Sequence, residues 1–342
     1  MTRRINLALQ GGGAHGAFTW GVLDRLLDEE EIEIAAISGT SAGALNGAAL
    51  KAGLVSGGRE GARENLDWLW HRIGAVDSDG LPEWFGLAET RMISRALEYA
   101  PGYAWSEAVQ MMMSPYGWGP LYRNPLQEVV EQLDYERVCH QSGPRFFVGA
   151  TRVRTGTARV FTGDEIDTDA ILASACLPTL FRGVEKYDSL TGRTETFWDG
   201  GFTGNPPLWP LFDPGLPDDI VVVNINPLER EEVPMTAPDI RNRVNEISFN
   251  ASLLRELRAI RFAARLIDDG MVEQGAMKRV RMHMIHDDEL VNDLSVATKR
   301  VPIPLVMGRL KAAGRAACAA FLDAHRDDLG RRDTVDLAAM FG

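Results

Sequence analysis

The residue whose setting best suits covalent chemistry is Ser41, in Gly39-Thr40-Ser41-Ala42-Gly43, a G-x-S-x-G spacing. A serine hydroxyl is a weak nucleophile at its ordinary pKa and must be presented and activated by its surroundings. The apolar run Ile34-Ala35-Ala36-Ile37 precedes it and the small-residue helical stretch Ala44 to Leu50 follows. Strand, sharp turn and helix together lift a serine oxygen clear of a sheet. Gly39 and Gly43 carry no side chains where backbone segments must pass closely. The same five residues also make an ordinary glycine turn in which the serine only caps the helix, so the rest of the chain must decide between the two.

The second group is Gly11-Gly12-Gly13-Ala14-His15-Gly16, which follows the apolar strand pattern of residues 5–9. Gly11, Gly13 and Gly16 satisfy G-x-G-x-x-G, the dinucleotide fingerprint, but that motif needs an acidic residue at the end of the second strand. Here the second strand runs into Ser38-Gly39-Thr40-Ser41, and Glu31 and Glu33 precede it. A phosphate loop fails as well, since no Lys-Ser or Lys-Thr pair follows the glycines. Three bare N–H groups at a helix N-terminus instead suit an oxyanion hole built from Gly11, Gly12 and Gly13.

A nucleophilic serine needs a base. Of the later histidines (His71, His140, His283, His286 and His325), His283 and His286 sit at and just after the last strand pattern, where a triad would place one. The alternative is Asp199 in Trp198-Asp199-Gly200-Gly201, whose glycines allow a turn that aims the carboxylate. Partial desolvation would raise its proton affinity enough for a base. Both candidates stand on this reading, as does a plain Asp-Gly turn.

The elements that must hold these groups alternate. Strand patterns cover 5–9, 34–37, 145–150, 157–162, a hairpin over 182–197, the β-branched run 220–225 and 279–285. Helical spacing covers 17–27, 44–50, 57–73, 125–138, 169–176 with Thr168 as cap, about 240–268 and 303–326. In the 240–268 helix Val244, Ile247, Ala251, Leu254 and Leu257 share one face, and Arg255, Arg258, Arg261 and Arg265 another, expected to be solvated and paired with local carboxylates. The unbroken run at 220–225 suits a parallel strand covered on both faces. The expectation is one α/β domain over 1–342, a three-layer α/β/α sandwich on a mostly parallel sheet. A cap or lid insertion is expected at about 77–122 and a helical C-terminal region at about 236–342. The 77–122 stretch concentrates Trp84, Trp105, Trp118, Tyr99, Tyr103, Tyr116, Tyr122 and Met111-Met112-Met113.

Composition narrows the partners. Apolar content of 45% with 25% charged residues is that of a soluble globular protein. A net charge of −12 argues against nucleic acid, whose binding needs a basic surface. Cys139, Cys176 and Cys318 are odd in number and irregular in spacing, which fits reduced thiols in the cytoplasm. No stretch approaches the roughly 20 apolar residues of a membrane span. Neither a metal nor a cofactor is called for, and oligomeric state is not readable.

Four blocks in order resemble the patatin-like phospholipases. Gly11 to Gly16 looks like their oxyanion motif, and Gly39 to Gly43 like their nucleophile elbow. Ala173-Ser174-Ala175-Cys176-Leu177-Pro178 is similar to their central Ala-Ser block, and Asp199-Gly200-Gly201 with Asn205-Pro206 to their Asp-Gly-Gly block. The resemblance implies a patatin-like fold, a Ser41–Asp199 dyad without histidine, and hydrolysis of acyl esters of phospholipids or lysophospholipids without metal. A lipid or acyl-ester substrate and a peripheral contact with a lipid surface follow from it. One position departs: the family usually has Arg or Lys where this chain has His15, and a neutral imidazole would weaken electrostatic help to an oxyanion or headgroup. Rival readings on the same fold are a catalytically silent lipid-binding or scaffold protein, and a hydrolase of intracellular polyester or acyl-thioester.

Overall fold

The computed structural model describes residues 2–74, 90–102, 105, 114–273 and 275–342. Eight strands form one sheet: β1 (Arg3–Leu9), β2 (Ile32–Gly39), β3 (Arg145–Arg152), β4 (Ala158–Thr162), β5 (Val184–Asp188), β6 (Arg193–Asp199), β7 (Asp219–Val223) and β8 (Arg281–Ile285). Their order is β5-β6-β3-β2-β1-β7-β8, with β4 paired to β3. The pairs β3–β2, β2–β1, β1–β7 and β7–β8 are parallel, while β4, β6 and β5 join antiparallel. This is a mixed α/β fold with a mostly parallel central sheet, as the sequence pattern leads one to expect.

The strand period of two sorts residues between two cores. Leu7 and Leu9 of β1, Ile37 of β2, and Val221 and Val223 of β7 pack on one face. There they meet helices α1 (Gly16–Leu26), α2 (Ala42–Ile73) and α6 (Pro304–His325), through Phe18, Leu45, Leu50 and Leu310 among others. Ala8, Ala36, Ile220 and Val222 point the other way, onto Leu253, Leu257 and Ile260 of α4 (Ala237–Asp268). Between these lie α3 (Thr168–Ser174) and, late in the chain, α5 (Val296–Arg300). The sheet is thus covered on both faces, as the apolar runs of β1 and β7 require.

Several boundaries differ from the sequence reading. The stretches 44–50 and 57–73 belong to one element, α2, broken only by non-helical backbone at Gly57 and Gly58. The expected helix over 125–138 is two short turns, Gln127–Val130 and Tyr135–Cys139, because the Asp134 side chain caps the second turn by accepting from the Arg137 N–H. The cap of α3 is Asp167 rather than Thr168; its carboxylate accepts from the Ala170 N–H at 2.9 Å. On α4 the buried face is Phe249, Leu253, Leu257, Ile260 and Ala264, so Val244 and Ile247 of the supposed apolar stripe are exposed. The arginine stripe finds aromatic faces: Arg258 lies over Phe341 and Arg265 over Phe262, at 5.3 and 5.5 Å. Half of the expected lid, including Trp84, Tyr103 and Met111 to Met113, lies outside the described residues. Of what is described there, Tyr116 and Tyr122 accept from the N–H groups of Gly183 and Arg182 through their hydroxyls, at 3.0 and 3.1 Å.

Candidate active site

Ser41 is where β2 turns into α2. It is the only non-glycine residue with positive φ among those described, at 54°, so the turn holds it in backbone that an L-residue rarely adopts. Such strain persists only where neighbours over-determine it. The Ser41 N–H donates to the Ser174 hydroxyl at 2.9 Å, which itself donates to the Gly149 carbonyl at 2.6 Å. Thr40 anchors the preceding residue by donating to the Gly204 carbonyl at 2.7 Å. The turn is so tight that a Cβ on Gly43 would lie 2.0 Å from the Leu9 carbonyl oxygen. Ser174, placed in the sequence only as part of a family block, is therefore the strut of the elbow.

Asp199 ends β6 and begins the turn Gly200–Phe202. It is 1% exposed, and Ser41 is 8% exposed. Its Oδ1 accepts from the Gly201 N–H at 2.7 Å, and its own N–H donates to the Cys176 carbonyl at 2.7 Å, which fixes the carboxyl's direction. Oδ2 is buried without a hydrogen-bond partner. Burial pushes the carboxyl up to about 7, against the smaller opposing pulls of the Gly201 N–H and the Ser41 hydroxyl. A buried, unsatisfied carboxylate oxygen beside a strained serine is poised to take a proton.

The glycine loop is held by amides. The Gly11 N–H donates to Asn205 Oδ1 at 2.7 Å, while Asn226 Nδ2 donates to the Gly11 carbonyl at 2.9 Å. Gln10 Oε1 in turn accepts from the N–H groups of Ile225 and Asn226. The sequence reading gave Gly11 an oxyanion role; here its N–H is committed to Asn205 and braces the loop instead. The N–H groups of Gly12, Gly13 and Ala42 have no acceptor among the described residues. Gly13 needs its freedom, with φ at +59° and a Cβ position only 2.2 Å from the Lys299 carbonyl oxygen.

His15 is buried and its Nε2 meets the Thr298 hydroxyl at 2.8 Å. Burial, and then the charge of Lys299, hold its pKa well below the usual value, so the ring is neutral. Gly16 begins α1, and the Asn46 amide ties its carbonyl to that of Ala42 at 3.1 and 3.0 Å. The histidines considered for a triad lie elsewhere: His283 is held between Asp219 and Thr334, and His286 pairs with Asp288.

Ser41, Asp199, Gly12 and Gly13 line one cavity of about 820 Å³. Its walls are mainly apolar, including Leu45, Ile73, Leu126, Leu180, Phe181 and Phe249, with Lys299 and Arg300 among its polar members. That is the volume of a pocket for a ligand larger than a simple metabolite. Among the described residues no cluster of His, Cys, Asp and Glu could hold a metal ion. None of their helices is long and apolar enough to cross a membrane.

No match is found among the curated proteins. Among solved structures, VipD from Legionella pneumophila is similar with 14% identity and a TM-score of 0.42, covering 94% of this chain and 67% of VipD. The family described as patatin-like phospholipase matches residues 7–212, a span that holds the glycine loop, the serine elbow and the Asp-Gly-Gly turn. With more than half of its length matched, the chain belongs to the patatin-like phospholipase family, a family of lipolytic hydrolases.

Proposed function

We propose that the chain is a serine acyl-ester hydrolase of the phospholipase A or lysophospholipase type, working through a Ser41–Asp199 dyad. The observation that carries this is the strained Ser41 sharing a largely apolar cavity with the buried Asp199 carboxyl, one of whose oxygens is unpartnered. Ser41 Oγ attacks the ester carbonyl carbon while its proton passes to Asp199 Oδ2. The carbonyl oxygen becomes an oxyanion facing the N–H groups of Gly12, Gly13 and Ala42. Each such donor is worth about 3 kcal/mol of transition-state stabilisation. Collapse breaks the bond to the leaving alkoxide, which takes the proton from Asp199 and departs as the alcohol. Water then attacks the acyl-Ser41 ester, giving its proton to Asp199. The second collapse returns that proton to Ser41 and frees the acid.

No histidine lines the cavity among the described residues, which supports the carboxylate as base. Exposed Ile240 and Val244 on α4 border the same cavity, which supports entry of substrate from a lipid surface. The test is labelling with a fluorophosphonate probe, with and without phospholipid vesicles. A covalent adduct on Ser41 that disappears in Ser41→Ala is expected. Folded wild-type protein that stays unlabelled under both conditions would sink the proposal and favour a silent lipid-binding protein.

A further inference from the structure

The glycine loop holds a neutral His15, yet it is not without a cation. Lys299, on α5, lines the cavity together with Gly12, Gly13, Ser41 and Asp199. Its Nζ donates to Asn226 Oδ1 at 2.7 Å, the same amide that supports the Gly11 carbonyl. Its backbone carbonyl is the atom against which Gly13 packs. The nearby carboxylate, Glu246, is already claimed by Arg230 in a two-point pair at 2.6 and 2.9 Å and by Arg243 at 3.3 Å. An ammonium has three N–H donors, and here one of them meets a neutral amide. A desolvated cation without its own carboxylate is unfavourable unless an anion joins it.

We propose that Lys299, braced by Asn226, is an anion subsite of the cavity that takes the phosphate of a phospholipid substrate. This rests on the hydrolase reading above and adds the residue that would hold the substrate's phosphate. The placement fits. Ser41 packs against Gly11, where a Cβ would lie 2.8 Å from the serine Cβ, whereas Lys299 packs against Gly13, two residues along the loop. The ammonium itself reaches the loop through Asn226, whose amide bonds the Gly11 carbonyl, so the cation sits at the serine end of the cavity without contacting Ser41 in any hydrogen bond. Burial, with Arg230 nearby, depresses the lysine to about 8 despite Glu246, so at pH 7 it is largely charged and gains from an anionic ligand.

The experiment measures binding by calorimetry at pH 7 to Ser41→Ala protein, so its outcome does not depend on turnover. The ligands are octyl phosphate, octanol and inorganic phosphate. Lys299→Met, added to the Ser41→Ala protein, is expected to weaken octyl phosphate at least tenfold, with octanol changed less than twofold and Lys299→Arg restoring most of the affinity. Equal weakening of octyl phosphate and octanol would show that Lys299 only shapes the cavity and would overturn the subsite. Unchanged octyl phosphate affinity would overturn it too. Inorganic phosphate binding as tightly as octyl phosphate would assign the site to free phosphate and overturn the lipid assignment. Absence of fluorophosphonate labelling in the wild type, with the binding pattern as expected, would fail the hydrolase reading and leave the subsite standing.

Discussion

Two carboxyls among the described residues have their pKa raised to about 7, Asp199 and Glu256, and their surroundings differ in a way that separates chemistry from architecture. Burial is the main cause in both. Glu256, on α4, spends one oxygen on two backbone donors, the N–H groups of Leu208 at 2.8 Å and Trp209 at 3.0 Å, and it lines no part of the large cavity. It clamps the loop after Pro206-Pro207 to the helix. Asp199 receives one backbone N–H on Oδ1 and keeps Oδ2 buried and unpartnered beside Ser41. A raised pKa is thus the shared consequence of desolvation. What marks a site is the oxygen left without a partner next to a nucleophile. The Asp219–His283 pair makes the same point from the other side. It looks like two members of a triad, but both histidine nitrogens are occupied and no serine of the cavity meets it.

The sharpest way to break this comparison is Asp199→Asn, which keeps the shape and removes the base. Esterase turnover should fall by more than about a thousandfold, matching Ser41→Ala, since members of one catalytic unit are strongly non-additive. Turnover within tenfold of wild type would make Asp199 a structural carboxyl like Glu256. The next largest effect is expected of Ser174→Ala, which removes the acceptor of the Ser41 N–H while leaving both dyad members in place. A loss of about tenfold to a hundredfold in kcat is expected, the scale of a misplaced reacting group. A loss confined to KM would instead mean that Ser174 shapes the cavity.

The pH dependence sharpens the difference further. Asp199 must be ionised to act as base, so kcat/KM should rise with pH through about 7 and level off above it. Stability runs the opposite way. A carboxyl whose folded pKa is raised binds more protons in the native state, so stability is lost as pH climbs from the unfolded pKa of about 4 toward the folded value. At pH 8, chemical denaturation should therefore find Asp199→Asn more stable than wild type, by of order 4 kcal/mol at most. Equal or lower stability at pH 8 would argue that Asp199 is not strained by its burial. The smallest effect is expected of Glu256→Gln, whose side-chain oxygen can still accept from the Leu208 and Trp209 N–H groups. Turnover should stay within about threefold and the kinetic midpoint near 7 should not move, while by the same linkage stability at pH 8 should rise, since Glu256 too is raised to about 7 by burial.

Much of the fold was legible because it depends on local periodicity. The β-branched run at 220–225 announced a strand covered on both faces, and β7 lies inside the sheet, paired to β1 on one side and β8 on the other. The elbow was legible for the same reason: strand, G-x-S-x-G and helix are contiguous in the chain. Where the reading went astray, a side chain had overridden the period. Asp134 caps a new turn inside the expected 125–138 helix, and the packed face of α4 is the one carrying Phe249 and Leu253, rather than the stripe through Val244.

By itself the sequence determined which residues were equipped for the chemistry: a serine between strand and helix, an aspartate before two glycines, and three glycines opening a helix. It could not say how these meet, because their contacts cross long stretches of chain. Ser41 is strutted by Ser174, Gly11 is clamped by Asn205 and Asn226, and Gly13 rests on Lys299. Which buried groups lie beside Ser41, that the Gly11 N–H meets Asn205, and that a distant lysine reaches the loop were decisions of tertiary structure alone. The physical reason is that hydrogen-bond partnership and desolvation are properties of what surrounds a group in space, and neither leaves a periodic trace along the chain.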